Sequence, residues 1–117
     1  MPHIRVTGLD IPKVKALSAE LTESLSQVIK CPADWITFSI GALGDGDIFC
    51  NGNLLKDTVY VTVEWFDRGK NAKNLVAKIL TEGILKAKSF EFDEINSVDV
   101  IFVDIEKENY YENGKHF

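Results

Sequence analysis

The residue with the most chemical potential in this chain is Pro2, which follows Met1 in the opening segment Met1-Pro2-His3-Ile4-Arg5-Val6-Thr7-Gly8. Inside a chain, a proline nitrogen is an amide and has no basic lone pair. Removal of Met1 would turn it into a free secondary amine at the tip of a strand. A chain-terminal amine titrates at about 7.7–8.0, and burial or a nearby cation lowers that value. Such an amine is a base matched to neutral pH, able to take a proton from the carbon next to a carbonyl. The enolate that results needs a positive partner or hydrogen-bond donors. Lys30, Arg5 and Arg68 are the cations to consider. The plain alternative is that Pro2 only starts a strand, where its missing N–H does little harm, and that each cation is a solvated surface charge.

Other chemistries have less behind them. His3 and His116 lie at opposite ends of the chain with no ligand spacing around them. Asp45-Gly46-Asp47 resembles the start of a calcium loop, but Phe49 stands where the third oxygen ligand belongs and no closing Glu follows. Cys31 follows a helix end, where the dipole disfavours a thiolate. Gly69 alone at the start of a helix makes no phosphate cradle. The expectation is therefore a site with neither metal nor cofactor.

The elements that must position Pro2 are readable from periodicity. Residues 2–7 alternate as a strand, with Ile4 and Val6 on one face and His3, Arg5 and Thr7 on the other. Asp10 is a plausible N-cap and Pro12 suits a first helical turn. Val14, Leu17, Leu21, Leu25, Val28 and Ile29 then recur at helical spacing, and Cys31-Pro32 stops the helix. A second strand is expected over Trp35–Ile40, with Trp35, Thr37 and Ser39 on one face. A third is expected over Thr58–Phe66, and a fourth over Ser97–Ile105. Between the last two, Ala72, Leu75, Val76, Ile79, Leu80 and Ile84 mark one side of a second helix. Asn51-Gly52 signals a tight turn inside a long loop, and Asn109–Gly114 a turn or short hairpin.

The order is thus βαβ, loop, βαβ in one domain: a first repeat over 2–41, a loop over 42–57, a second repeat over 58–106 and a tail over 107–117. This predicts an α+β fold of two layers, a four-stranded mixed sheet with both helices on one face. The other sheet face would carry His3, Arg5, Thr7, Thr37, Ser39, Tyr60, Thr62, Glu64 and Asp99. It is either open to water or the lining of a symmetric ring, where Arg5 would pair with Glu64 or Asp99. A ferredoxin-like βαββαβ domain has the same element order, but there the first two strands are not neighbours, and its middle strands usually join by a tight hairpin.

The 117 residues carry a formal charge of −5 with acidic groups spread along the chain, which argues against a nucleic-acid surface. The apolar runs are too short for a membrane span, and no basic-then-apolar leader opens the chain. Cys31 and Cys50 lack CxxC spacing and are expected as buried free thiols in a cytoplasmic protein.

Met1-Pro2 opening the first strand, the duplicated βαβ order, and Lys30-Cys31-Pro32 at the first helix end together resemble the tautomerase superfamily, which includes 4-oxalocrotonate tautomerase and macrophage migration inhibitory factor. The likeness covers essentially the whole chain and is nearest to an uncharacterised bacterial branch. It implies a homotrimer in which three sheets form a barrel with the helices outside. It further implies a cofactor-independent isomerase, with Pro2 as the base in keto–enol tautomerisation of a small carbonyl compound such as a 2-oxo acid. Lys30 matches a lysine at the pocket border, Phe66 an apolar wall, and Phe117 an aromatic near the pocket mouth. Arg68, which has no such match, is the further expected substrate-binding residue as one of the cations considered above. Two departures count. The arginines that hold dicarboxylates in bacterial members have no counterpart in the first helix and fall on Thr37 in the second strand, and Asp99 and Ile101 replace pocket tyrosine and asparagine on the fourth. The alternative is a non-catalytic oligomeric or ligand-binding member that keeps Met1.

Overall fold

A computed structural model describes residues 1–41, 48–55, 57–87 and 95–116. In chain order the elements are β1 (His3–Thr7), α1 (Ile11–Ile29), β2 (Thr37–Ile40), β3 (Phe49–Cys50), β4 (Asn53–Leu54), β5 (Thr58–Trp65), α2 (Lys70–Ala87), β6 (Ser97–Asp104), β7 (Tyr111–Glu112) and β8 (Lys115–His116).

Four strands form the main sheet in the order β2-β1-β5-β6. β1 pairs parallel with β2, β5 pairs parallel with β6, and the two units join antiparallel through β1 and β5. The direct β1–β2 pairing excludes the ferredoxin-like order and fits the duplicated βαβ reading. Alternation does the rest. Ile4, Val6, Val59, Val61, Val63 and Trp65 all point to the helix side and are buried. Val14, Leu17, Leu25 and Ile29 of α1, with Val76, Leu80 and Ile84 of α2, close the core from above. Leu75, expected on the apolar side of α2, is exposed at 44%. The buried residues recur at every fourth position, so the buried stripe is narrow and Leu75 falls beside it. The helices approach closely at Gly83, where a Cβ would come within 2.6 Å of the Leu21 side chain.

The ends of α1 are set by local chemistry. Asp10 caps the start, its carboxylate accepting from the Lys13 N–H at 3.1 Å, and Pro12 sits in the first turn. Lys30 closes the helix in the left-handed region at φ 61°, its N–H donating to the Ser26 carbonyl at 2.8 Å. Gly8 makes the turn out of β1 at φ 108°, with the Thr58 carbonyl only 2.7 Å from where a Cβ would stand.

Three expectations need correction. Trp35 does not belong to the second strand: residues Ala33–Trp35 form a single 3-10 turn, with the Trp35 N–H donating to Pro32 at 3.0 Å and the Ile36 N–H to Ala33 at 3.1 Å, so β2 starts at Thr37. The third and fourth strands each end one residue earlier than expected, at Trp65 and Asp104. Cys31 is buried, but Cys50 is exposed, because it lies on the small β3–β4 hairpin outside the core. Both thiols are free. Asn51-Gly52 makes that hairpin's turn as expected, and the tail forms a second hairpin, β7–β8.

The uncovered sheet face carries the expected residues. Arg5 pairs with Glu64 at 3.3 Å, which settles the choice between Glu64 and Asp99. Toward the β6 edge the face turns apolar: Tyr60, Ile101 and Val103 are 38%, 51% and 42% exposed. Among the described residues, no helix is long and apolar enough to cross a membrane.

Candidate active site

The start of β1 lies beside the 3-10 turn and β2, and the tail returns to the same place. The result is a cleft of about 490 Å³ lined by Met1, His3, Asp34, Trp35, Thr37, Tyr110 and Glu112. Each lining residue has an identifiable support. β2 is tied to the start of β1 by the Thr37 N–H donating to the Pro2 carbonyl at 3.2 Å. The Pro32 turn throws the Trp35 ring outward, where it is 52% exposed. The β7–β8 hairpin brings Glu112 to the cleft, and Tyr110 precedes it.

The terminal amine belongs to Met1, one of the lining residues. It donates to the Trp35 carbonyl at 3.4 Å. Its pKa lies below the ordinary N-terminal value, first because burial strips water from the cation. Cys31 opposes that shift, Arg68 adds to it, and Glu112 opposes it. Pro2 itself is fully buried among the core side chains.

His3 is clamped between two hydroxyls, with Nδ1 2.7 Å from Thr37 Oγ1 and Nε2 2.9 Å from Ser39 Oγ. A neutral imidazole has one donor and one acceptor nitrogen, so one hydroxyl receives a proton from the ring and the other gives one to it.

The expected site residues are distributed unevenly. Pro2 is at the cleft through its neighbours on both sides. Arg68 is near enough to act on the amine, but its Nε donates to the Ile29 carbonyl at 3.0 Å and its Nη1 to the Phe66 carbonyl, while the guanidinium lies 5.6 Å from the Trp65 ring centre. It therefore closes the C-terminal end of α1 as well as setting local potential. Phe66 is behind the cleft rather than in its lining, meeting Tyr110 edge-on at 5.6 Å between ring centres. Lys107 lies over the same Phe66 ring at 6.0 Å. Lys30 is exposed at the α1 cap and does not line the cleft. Phe117 lies outside the described residues. Asp34, Tyr110 and Glu112 were not among the expected site residues. The only sequence signals for them were the Pro32 turn and the Asn113-Gly114 turn, which place the chain but do not say what it faces.

Among the described residues no group of three or more His, Cys, Asp or Glu is placed to hold a metal ion.

Comparison with known proteins agrees with this architecture. Residues 1–116 match the family model described as "Domain of unknown function (DUF1904)". The crystal structure of a DUF1904 domain from Sebaldella termitidis is 34% identical, with all of both chains covered and a TM-score of 0.82. A fused 4-OT wild-type asymmetric trimer is 18% identical over 97% of this chain and 94% of its own, with a TM-score of 0.79. A macrophage migration inhibitory factor homologue from Prochlorococcus marinus is 18% identical over 99% of this chain and 97% of its own, with a TM-score of 0.72. Among curated proteins none matches. The fold is that of the tautomerase superfamily.

Proposed function

We propose that this chain, which belongs to the DUF1904 family and has the tautomerase fold, catalyses proton transfer on a small carbonyl compound with the nitrogen of Pro2 as the base. The observation that carries this reading is the cleft at the head of β1, whose lining residues Met1 and His3 flank Pro2 on both sides; the lowered pKa of the terminal amine there agrees with it. With Met1 removed, the amine becomes that of Pro2, at the head of the same strand. Its lone pair takes a proton from the carbon next to the carbonyl, and the C–H electron pair moves into the enolate. The proton then returns to oxygen, giving the enol, or to another carbon. Arg68 contributes positive potential that favours both the neutral amine and the enolate. Lys30 at the α1 cap, Phe66 packed against Tyr110, and Phe117 complete the proposed substrate-binding set. The starting substrate class is the 2-oxo acids, and the reaction is an isomerisation that needs no cofactor.

The working form is a homotrimer in the cytoplasm. Ile101 and Val103, apolar and exposed on an otherwise polar sheet face, support assembly through that face. Two free thiols support a reducing compartment.

The test is enol–keto conversion of phenylpyruvate by protein whose intact mass shows Met1 removed. Pro2→Ala should lower the rate by about 10²–10⁴, the usual share of a positioned base. Full activity in that variant overturns the reading. Intact mass also decides the competing possibility: a native chain that keeps Met1 has an amide at Pro2 and is a non-catalytic binding member of the fold.

A further inference from the structure

The lining of the cleft is more specific than a general carbonyl site. It holds two carboxylates, Asp34 and Glu112, and among the described lining residues no lysine or arginine. The one guanidinium nearby, Arg68, is engaged with two backbone carbonyls and is not part of the lining. A substrate with two carboxylates would therefore meet like charges in the lining, offset by the amine and by the potential of Arg68 outside it, and like-charge juxtaposition is an effective rejector of wrong ligands.

The same lining offers a neutral donor for a carbonyl oxygen. When His3 Nδ1 carries the proton, it donates to Thr37 Oγ1 and leaves the Thr37 hydroxyl proton free to point into the cleft. The Ser39 hydroxyl then donates to Nε2. Thr37 is on β2 next to the start of β1, so its hydroxyl and the terminal amine share one cleft. We propose that this cleft receives an uncharged carbonyl compound, its oxygen bound by the Thr37 hydroxyl, and that Asp34 and Glu112 turn dicarboxylates away. This rests on the proton-transfer reading and replaces its starting substrate class, the 2-oxo acids, with carbonyl compounds that carry no carboxylate. Thr37 is the binding residue. His3 is a positioning residue that acts through it.

The experiment compares two compounds with one carbon skeleton, 2-oxoglutarate and its dimethyl ester, on protein beginning at Pro2. Binding is read by Trp35 fluorescence. Trp65 is fully buried, and a Trp35→Phe control shows which signal belongs to the cleft. The diester should bind at least about tenfold more tightly, and Asp34→Asn with Glu112→Gln should bring the two within about threefold. Thr37→Val should weaken the diester by about fivefold or more and leave the dicarboxylate where it was. His3→Phe should do the same, whereas general damage to the cleft would move both compounds together. Equal or reversed preference, or no binding of either compound, overturns the proposal. Proton–deuterium exchange next to the ketone, followed on the same two compounds by NMR, separates the two ideas. Diester-selective binding without exchange removes Pro2 as the base and keeps the charge preference. Exchange that is fastest on the dicarboxylate keeps the base and removes the preference.

Discussion

Replacement of Arg68 by methionine tests stability and site electrostatics at once. The guanidinium donates to the Ile29 carbonyl at the end of α1 and to the Phe66 carbonyl after β5, and it lies over the Trp65 ring. A hydrogen bond from a charged donor contributes about 1.5–3 kcal/mol. A cation over an aromatic face adds about 0.5–1 kcal/mol where water still reaches it. Arg68 is half-buried, so the lower ends apply, and water can replace part of what the carbonyls lose. The net expectation is a loss of about 2–3 kcal/mol, read from the urea midpoint at neutral pH. The second readout is the terminal amine. Met1 is the only methionine, so ¹⁵N-methionine labelling of the unprocessed chain reports that amine alone. Without Arg68 its pKa should rise, yet stay below the ordinary value, because burial is the larger cause of the shift. Arg68→Lys should keep more of the electrostatic effect than of the stability, since an ammonium cannot reproduce the two-carbonyl fork. A stability loss below about 1 kcal/mol would refute the structural role. An unmoved amine would refute the electrostatic one.

Two further predictions concern pH and assembly. The Asp104 carboxyl is held below the usual range by its hydrogen bond from Lys73 and then by the Trp65 indole, at 2.8 Å each. Because the folded value is the lower one, the stabilisation is complete above the unfolded value near 3.9 and is lost as pH falls through the folded value. Melting temperature between pH 7 and pH 3 should therefore fall less in Asp104→Asn than in the parent, and an identical decline would contradict this account. Native mass spectrometry should give the mass of three chains, and Ile101→Lys with Val103→Lys should reduce it to one; a parent protein that is monomeric at micromolar concentration refutes the trimer.

The fold was largely legible because alternation and helical spacing report burial, and burial here is simple: one sheet face, one stripe per helix. Val59, Val61, Val63 and Trp65 announce the central strand, and each is buried as its position implies. Where local chemistry competes with alternation, the reading fails. Trp35 continues the strand pattern by residue type, but Pro32 starts a tight turn that takes it out of the sheet. Cys50 reads as core because it follows Ile48 and Phe49, yet a hairpin too small to bury anything holds it. Of the residues expected at the site, Pro2 is the one flanked by lining residues of the cleft. Asp34, Tyr110 and Glu112 reach the cleft through long-range folding of the turn and the tail, and no periodicity encodes which way a loop carboxylate faces. Arg68 was recognised as a cation near the site, but its bonds to Ile29 and Phe66 depend on the packing of α1 against the end of β5.

Both ends of the described chain converge on one place, Met1 and Glu112 of the final hairpin both lining the cleft. A purification tag fused ahead of Met1 would block the amine permanently, and one appended after the hairpin would crowd the entrance. Recombinant protein should therefore be made with a cleavable amino-terminal fusion that leaves proline first, or with no fusion at all. An inactive tagged preparation says nothing about the native protein.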